Sequence, residues 1–276
     1  MPSTIQKPVE NADDPERGSS NHIAQFHFAC AEPWKVERFS HNQVHLWKVP
    51  LNQTTQELDL LGQALASDER ARAERFHFER DRRRFIAARG QLRMILSRYT
   101  GVHPRALVFA YGARGKPSLK EAPDATWPRF NLTHSGELAL VAVAQDRNVG
   151  VDVEEIHSIH ALERIAQQFF SPRENAQLLA VPKARRLEAF FRCWTLKEAY
   201  LKATGDGLWR PTDTFDVALH QLRESKRLQK SRLLSVADDS QEASRWSLIT
   251  LAPEPGYVGA LAVEKNYLDY EDGGQV

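Results

Sequence analysis

Two cysteines in 276 residues, Cys30 and Cys193, are too few for a disulfide framework or a multi-cysteine metal cluster. Long apolar runs are missing as well. The longest, Leu138–Ala144, has seven residues, against the roughly 20 that a membrane helix needs. No apolar stretch of signal-peptide type stands near the first residue, so a cytoplasmic location is the expectation. An excess of one charge is also lacking: 37 Lys and Arg against 36 Asp and Glu leave a formal net charge of +1. That excludes bulk attraction to nucleic acid or an anionic membrane, but leaves room for a local basic site. With 42% hydrophobic and 26% charged residues, the chain has the composition of an ordinary globular protein of one large or two small domains.

Residues 1–22 are polar and rich in Pro, Asp, Asn and Ser. Such a segment buries too little apolar surface to offset the entropy of ordering, so residues 1–42 read as a partly disordered N-terminal tail. Residues 266–276, acidic and ending near a Gly pair, read as a second tail. Between them the hydrophobic period alternates. Val44–Val49 reads as a strand, Leu58–Ala66 and Asp68–Phe76 as short helices with Ser67 capping the second, and Arg82–Tyr99 as a long amphipathic helix stopped by Gly101. Ala106–Tyr111 and Leu138–Ala144 are β-rich, and Asn148–Glu154 alternates strictly. Ser171-Pro172-Arg173-Glu174 has the form of a capping box with Pro at the first helical position. A long helix follows from about Ala184 to Ala203, ending at Gly205, and strands are expected at Phe215–Leu219, Trp246–Leu251 and Tyr257–Val263. The fold class is α+β. Two similar halves, 43–148 and 149–265, each combine a small antiparallel sheet with one long helix.

Chemistry concentrates in a few places. In Gly150-Val151-Asp152-Val153-Glu154, alternation puts both carboxylates on one face and both valines on the other. Paired carboxylates repel unless a cation lies between them, and oxygen-only ligands suit Mg²⁺; a solvated edge-strand face is the plainer reading. On the second long helix, Trp194, Glu198 and Lys202 form a stripe at four-residue steps. A carboxylate in that setting needs a metal or Lys202 as its partner, unless the two form a simple surface pair. Three carboxylates from two elements would complete a protein half-shell for Mg²⁺.

Phe130-Asn131-Leu132-Thr133-His134-Ser135-Gly136 reads as a loop whose hydroxyls, His and Gly could offer donors to a phosphate. Tyr111–Pro117 is a Gly-punctuated basic loop without the frame of a P-loop. Residues 67–105 hold eleven Arg against five acids, a local net of +6. Such a run is either an ion-paired helical face or a phosphate-binding wall.

Taken together, GVDVEE, then FFRCWTLKEAYLKATGDGL, with FNLTHSG and RGKP upstream, resemble the 4′-phosphopantetheinyl transferases of the Sfp type, over roughly residues 43–265. The resemblance implies a pseudo-dimer of two α+β halves with coenzyme A in the cleft between them. It implies Asp152, Glu154 and Glu198 as Mg²⁺ ligands, with Glu198 also taking the proton of the attacking serine. Lys202 would face the pyrophosphate, Thr133 and His134 would hold phosphate with Asn131 beside them, and Lys116 would contact the nucleotide phosphates. Arg84, or Arg80 near it, would bind the 3′-phosphate.

The implied reaction moves phosphopantetheine from coenzyme A to a Ser of an apo carrier protein (acyl, peptidyl or aryl) and releases adenosine 3′,5′-bisphosphate. No nucleic-acid or membrane partner is expected, and two similar halves in one chain suit a monomer. The rivals are a Mg²⁺-dependent nuclease and a non-catalytic nucleic-acid-binding module built on the Arg-rich helix. The second leaves the three carboxylates without a purpose.

Overall fold

The structure, a computed structural model, describes residues 22–25, 43–120, 127–205, 207–219, 228–237, 239 and 241–265. Cys30 and the C-terminal tail lie outside them. In chain order the elements are β1 (His22–Gln25), β2 (Val44–Pro50), α1 (Thr55–Ala64), α2 (Ser67–Glu74), α3 (Glu79–Thr100), β3 (Phe109–Tyr111), β4 (Pro117–Leu119), β5 (Pro128–Ser135), β6 (Leu138–Gln145) and β7 (Val149–Glu155). There follow α4 (Leu162–Phe169), α5 (Pro172–Ala180), α6 (Arg186–Thr204), β8 (Phe215–Val217), β9 (Leu228–Ser231), β10 (Leu233–Val236), α7 (Glu242–Arg245), β11 (Trp246–Leu251) and β12 (Tyr257–Glu264).

Two four-stranded sheets organise the molecule, in the orders β1-β2-β6-β5 and β7-β12-β11-β9. All their pairings are antiparallel except β1 with β2, which is parallel. That strand falls inside the segment read as a tail. The β6 run of alternating small and large apolar residues is buried on both faces. Ala139, Val141 and Val143 pack with Leu92, Ile95 and Leu96 of α3. Leu138, Leu140, Ala142 and Ala144 face the other sheet, where they meet Val149, Val151 and Val153 of β7, Ile249 and Leu261. A third core lies under α6 and includes Phe190, Leu196, Phe215, Leu248 and Ala260. The layers therefore run helix, sheet, sheet, helix, and each inner face of a strand follows from period-two alternation.

The two halves repeat one device. Each long helix ends at a left-handed glycine, Gly101 (φ 69°) and Gly205 (φ 80°), where a residue with a Cβ is disfavoured. Each is preceded by a short helix whose third residue is a buried glutamate closing a capping arrangement. Glu174 accepts from Ser171 N (2.9 Å) and takes Lys197 Nζ of α6 at 2.7 Å on both oxygens. Glu69 accepts from Ala66 N (3.1 Å) and takes the guanidinium groups of Arg89 and Arg93 of α3. Ser67 is thus the first helical residue of α2 and Ala66 its cap, one position earlier than expected. The first helix also begins earlier, at a capping box made by Thr54 and Glu57.

Gly150 marks the closest approach of sheet and helix. A Cβ there would collide with the Ala199 carbonyl oxygen and the Ala203 nitrogen of α6. Both obstacles are backbone, which cannot rotate away. Gly150→Ala is expected to lower stability by at least the ~1–3 kcal/mol typical of overpacking, measured by urea unfolding. A wild-type midpoint would show that α6 does not press on β7.

Candidate active site at the seam between the sheets

The edge strands β5 and β7 face one another across the seam, joined by side chains of β5. Asn131 Oδ1 accepts from Val151 N (2.9 Å). Thr133 Oγ1 donates to Asp152 Oδ1 (3.0 Å). Ser135 Oγ donates to Glu154 Oε2 (2.8 Å) and accepts from Glu155 N (3.1 Å). Open strand edges need partners for their N–H groups, and here Asn131 and Ser135 supply them to Val151 and Glu155.

This places Asp152 where water cannot reach it. Its side chain is 3% exposed and pairs with Lys202 Nζ of α6 at 2.5 Å, while Lys202 also donates to Thr133 Oγ1 (3.1 Å). Burial raises the Asp152 pKa, against the pull of Lys202 and Thr133. Glu198, half-buried one turn before Lys202, is raised by desolvation and by repulsion from Asp152 and Glu154. Glu154 is raised too, chiefly by desolvation, with a contribution from Asp152. Three carboxylates thus crowd one ammonium.

Among the described residues, no three Asp, Glu, His or Cys side chains are gathered into a ready-made metal cage. One observation nevertheless fits a cation: Asp152 Oδ2 is buried with no hydrogen-bond partner, beside two carboxylates whose charge is incompletely balanced. Hard oxygen ligands of this kind suit Mg²⁺.

His134 and Arg84 flank the cluster. Partial desolvation, together with Lys202 and Arg84 nearby, lowers the pKa of His134. Its imidazole is therefore neutral at neutral pH and can donate one hydrogen bond and accept another. Arg84 is held by Glu137, with Nε at 3.1 Å and a second contact through Nη2. The Glu137 N–H in turn donates to Tyr257 Oη (3.2 Å).

A family model described as the 4′-phosphopantetheinyl transferase superfamily matches residues 148–260, and a second, for the N-terminal part of 4′-phosphopantetheinyl transferases, matches residues 50–146. The chain belongs to this superfamily. It is 43% identical over 222 residues to the 4′-phosphopantetheinyl transferase HetI of Nostoc sp., covering 80% of this chain and 88% of HetI. To the 4′-phosphopantetheinyl transferase Sfp of Bacillus subtilis it is 33% identical, over 57% of this chain and 67% of Sfp. To a phosphopantetheinyl transferase of Thraustochytrium sp. it is 30% identical, over 63% of this chain and 67% of that protein. The chain is accordingly a transferase.

The family places the nuclease and nucleic-acid readings aside. Arg89 and Arg93 are buried against Glu69, with Arg93 also donating to Pro104 O and Leu107 O. Arg83 donates to Gln53 O, and Arg82 pairs with Glu79. Arg89 and Arg93 are thus internal scaffolding, whereas Arg72, Arg75, Arg80 and Arg105 are exposed and Arg70, Arg82, Arg83, Arg84 and Arg98 are half-buried. Arg80, exposed and paired with Asp81, has no described contact with the seam.

Of the other expected phosphate ligands, two have their polar ends turned to backbone. The Asn131 amide oxygen binds Val151 N. The Lys116 ammonium donates to Ala203 O (2.7 Å) and Val149 O (3.2 Å). Burial, aided by Arg129, lowers the Lys116 pKa to about 8. Within FNLTHSG, Phe130 to Ser135 are strand and not loop: the polar side chains alternate, and six residues of β6 give them a continuous partner. Of the two partners weighed for Glu198, a metal or Lys202, the second is directly paired with Asp152 instead.

Ser135, Glu137 and Tyr257 have bridging roles at the seam beyond those their sequence positions imply. The alternation of Asn131, Thr133 and Ser135 is the signal that could have found the first. Nothing local marks the other two, which meet through Gly136 (φ 55°), where a Cβ would strike both Glu155 and Tyr257.

Replacing Lys202 with Met removes the ammonium that the three carboxylates share. The expected loss is about 3 kcal/mol at neutral pH, the low end for breaking a buried pair because Lys202 is partly exposed. Each carboxylate pKa is already raised on folding, so folded protein binds protons first as pH falls, and the variant should recover stability in mildly acidic solution. Urea unfolding at both pH values checks this; a pH-independent loss would contradict it.

Proposed function

We propose that this chain transfers the 4′-phosphopantetheine arm of coenzyme A to a serine hydroxyl of an apo carrier protein (acyl, peptidyl or aryl), with release of adenosine 3′,5′-bisphosphate. The observation that carries the reading is the buried, half-satisfied Asp152 among Glu154, Glu198 and Lys202, on a chain of this superfamily. Halves 43–148 and 149–265 would form the two walls of the cleft, and one chain would suffice for a complete site.

Asp152, Glu154 and Glu198 are the residues that would hold Mg²⁺. When bound, the ion neutralises charge on the phosphate oxygens during phosphoryl transfer. Glu198 is assigned the serine proton: its desolvated carboxylate has a raised pKa, which makes it a better base than a solvated one. Lys202 stabilises the oxygen of the departing nucleotide phosphate. His134 and Arg84 bind phosphate oxygens at the rim, and coenzyme A displaces Glu137 from Arg84 there. Thr133 orients Asp152 and Lys202 together. Asn131 and Lys116 shape the cleft by holding β5, β7 and the end of α6 in place.

The direct test is intact-mass measurement of a panel of apo carriers incubated with the chain, coenzyme A and Mg²⁺. At least one carrier should gain the mass of a single phosphopantetheine arm, with the gain abolished by chelator and restored by Mg²⁺ or Mn²⁺. No mass gain on any carrier would overturn the reading.

Arg84→Ala should raise the KM for coenzyme A about tenfold or more, as expected for a charge-assisted hydrogen bond. The effect should be smaller with dephospho-coenzyme A if the contact is to the 3′-phosphate. The helix pair separates by another route. Lys202→Ala should lower kcat about a hundred- to a thousandfold with little change in the Mg²⁺ midpoint, whereas Glu198→Gln should shift both. Equal shifts of the midpoint would contradict this division of roles.

A further inference from the structure

A cavity of about 500 Å³ opens in the C-terminal half, on the side of α6 turned away from Glu198. Ala189 and Leu196 of α6 and Ala218 after β8 give it apolar walls. Polar groups on the opposite wall are already engaged: Ser231 Oγ donates to Ala218 O (2.9 Å) and Thr250 Oγ1 to Gln229 O (3.1 Å). Its charge is one-sided. Among the described residues that line it are Arg185, Arg192 and Lys230 and no carboxylate. Arg192 is tied to Glu188 at 2.8 Å, while the side chains of Arg185 and Lys230 make no hydrogen bond or ion pair among the described residues.

A concave apolar space of this size with a few convergent polar groups has the form of a small-molecule site. Its occupant must bring an apolar body, because the hydroxyls inside have partners, and an anionic end, because the charged side chains without partners are cations. We propose that this cavity binds the medium-length acyl chain of a free carboxylic acid, with the chain against Ala189, Leu196 and Ala218 and the carboxylate at Arg185 and Lys230. An unbranched chain conforms to such walls without leaving a buried donor or acceptor unpaired, and the Arg fork matches a carboxylate. The site is separate from the seam, so the proposal stands independently of the transfer reaction.

The probe is decanoate, titrated into the full chain by isothermal calorimetry below its micellar range, with decanol as the neutral control. The expected result is one saturable site for decanoate, at least about tenfold weaker for decanol and unchanged by saturating coenzyme A. Binding should be lost in Ala218→Trp, which fills the cavity, and in the double variant Arg185→Glu/Lys230→Glu, which reverses the rim. If the tryptophan variant does not fold, as judged by circular dichroism, the rim variant decides. Absence of saturable heat, equal affinity for decanol, binding retained in the rim variant, or competition by coenzyme A would each overturn the proposal.

Discussion

Everything at the seam depends on two sheet edges that meet without pairing. β5 and β7 leave backbone groups exposed to one another, and the gap is closed by Asn131, Thr133 and Ser135 reaching across. Backbone pairing would have merged the two sheets and left no polar side chains between them. Side-chain bridging keeps the edges apart and carries hydroxyls to Asp152 and Glu154. The same spacing gives α6 room to place Glu198 and Lys202 above the gap.

The electrostatics follow from that geometry. Gly150 lets α6 sit close enough for Lys202 to reach Asp152, and closeness removes the water that would otherwise solvate the carboxylates. Desolvation then raises all three carboxylate pKa values. One ammonium cannot balance three acids, and Asp152 Oδ2 is left buried without a partner. An unbalanced buried group of this kind is costly in a purely structural role, which makes it the expected mark of a site that takes up a cation and a phosphate.

Where local pattern decided the outcome, the sequence was readable. Strict alternation in β7 and the capping box at Ser171 both match the structure, because each depends on residues a few positions apart. Asn131–Ser135 was misread as a loop because its polar residues and Gly136 have turn chemistry; β6, a neighbour in space, overrides it. The arginines of α3 show the same limit: ion pairs along the helix are one of the two readings of the run, but which arginines turn inward is not written locally. Local composition counts charge, but Arg89 and Arg93 point inward to Glu69 of α2, and only packing reveals it. Lys116 and Asn131 hold backbone carbonyls and amides that only the fold brings near. Glu137 with Tyr257 depends on residues 120 apart and had no sequence signal.

The central claim is that the charge imbalance around Asp152 is a cation site. Its most direct measurement is calorimetric titration of Mg²⁺ into the wild-type chain and into Asp152→Asn, with and without coenzyme A, each variant's fold being checked by circular dichroism. Saturable binding in the wild type, strengthened by coenzyme A and lost in the folded Asp152→Asn variant, is the predicted result. Equal binding in both proteins, or none in the wild type with coenzyme A present, would contradict it.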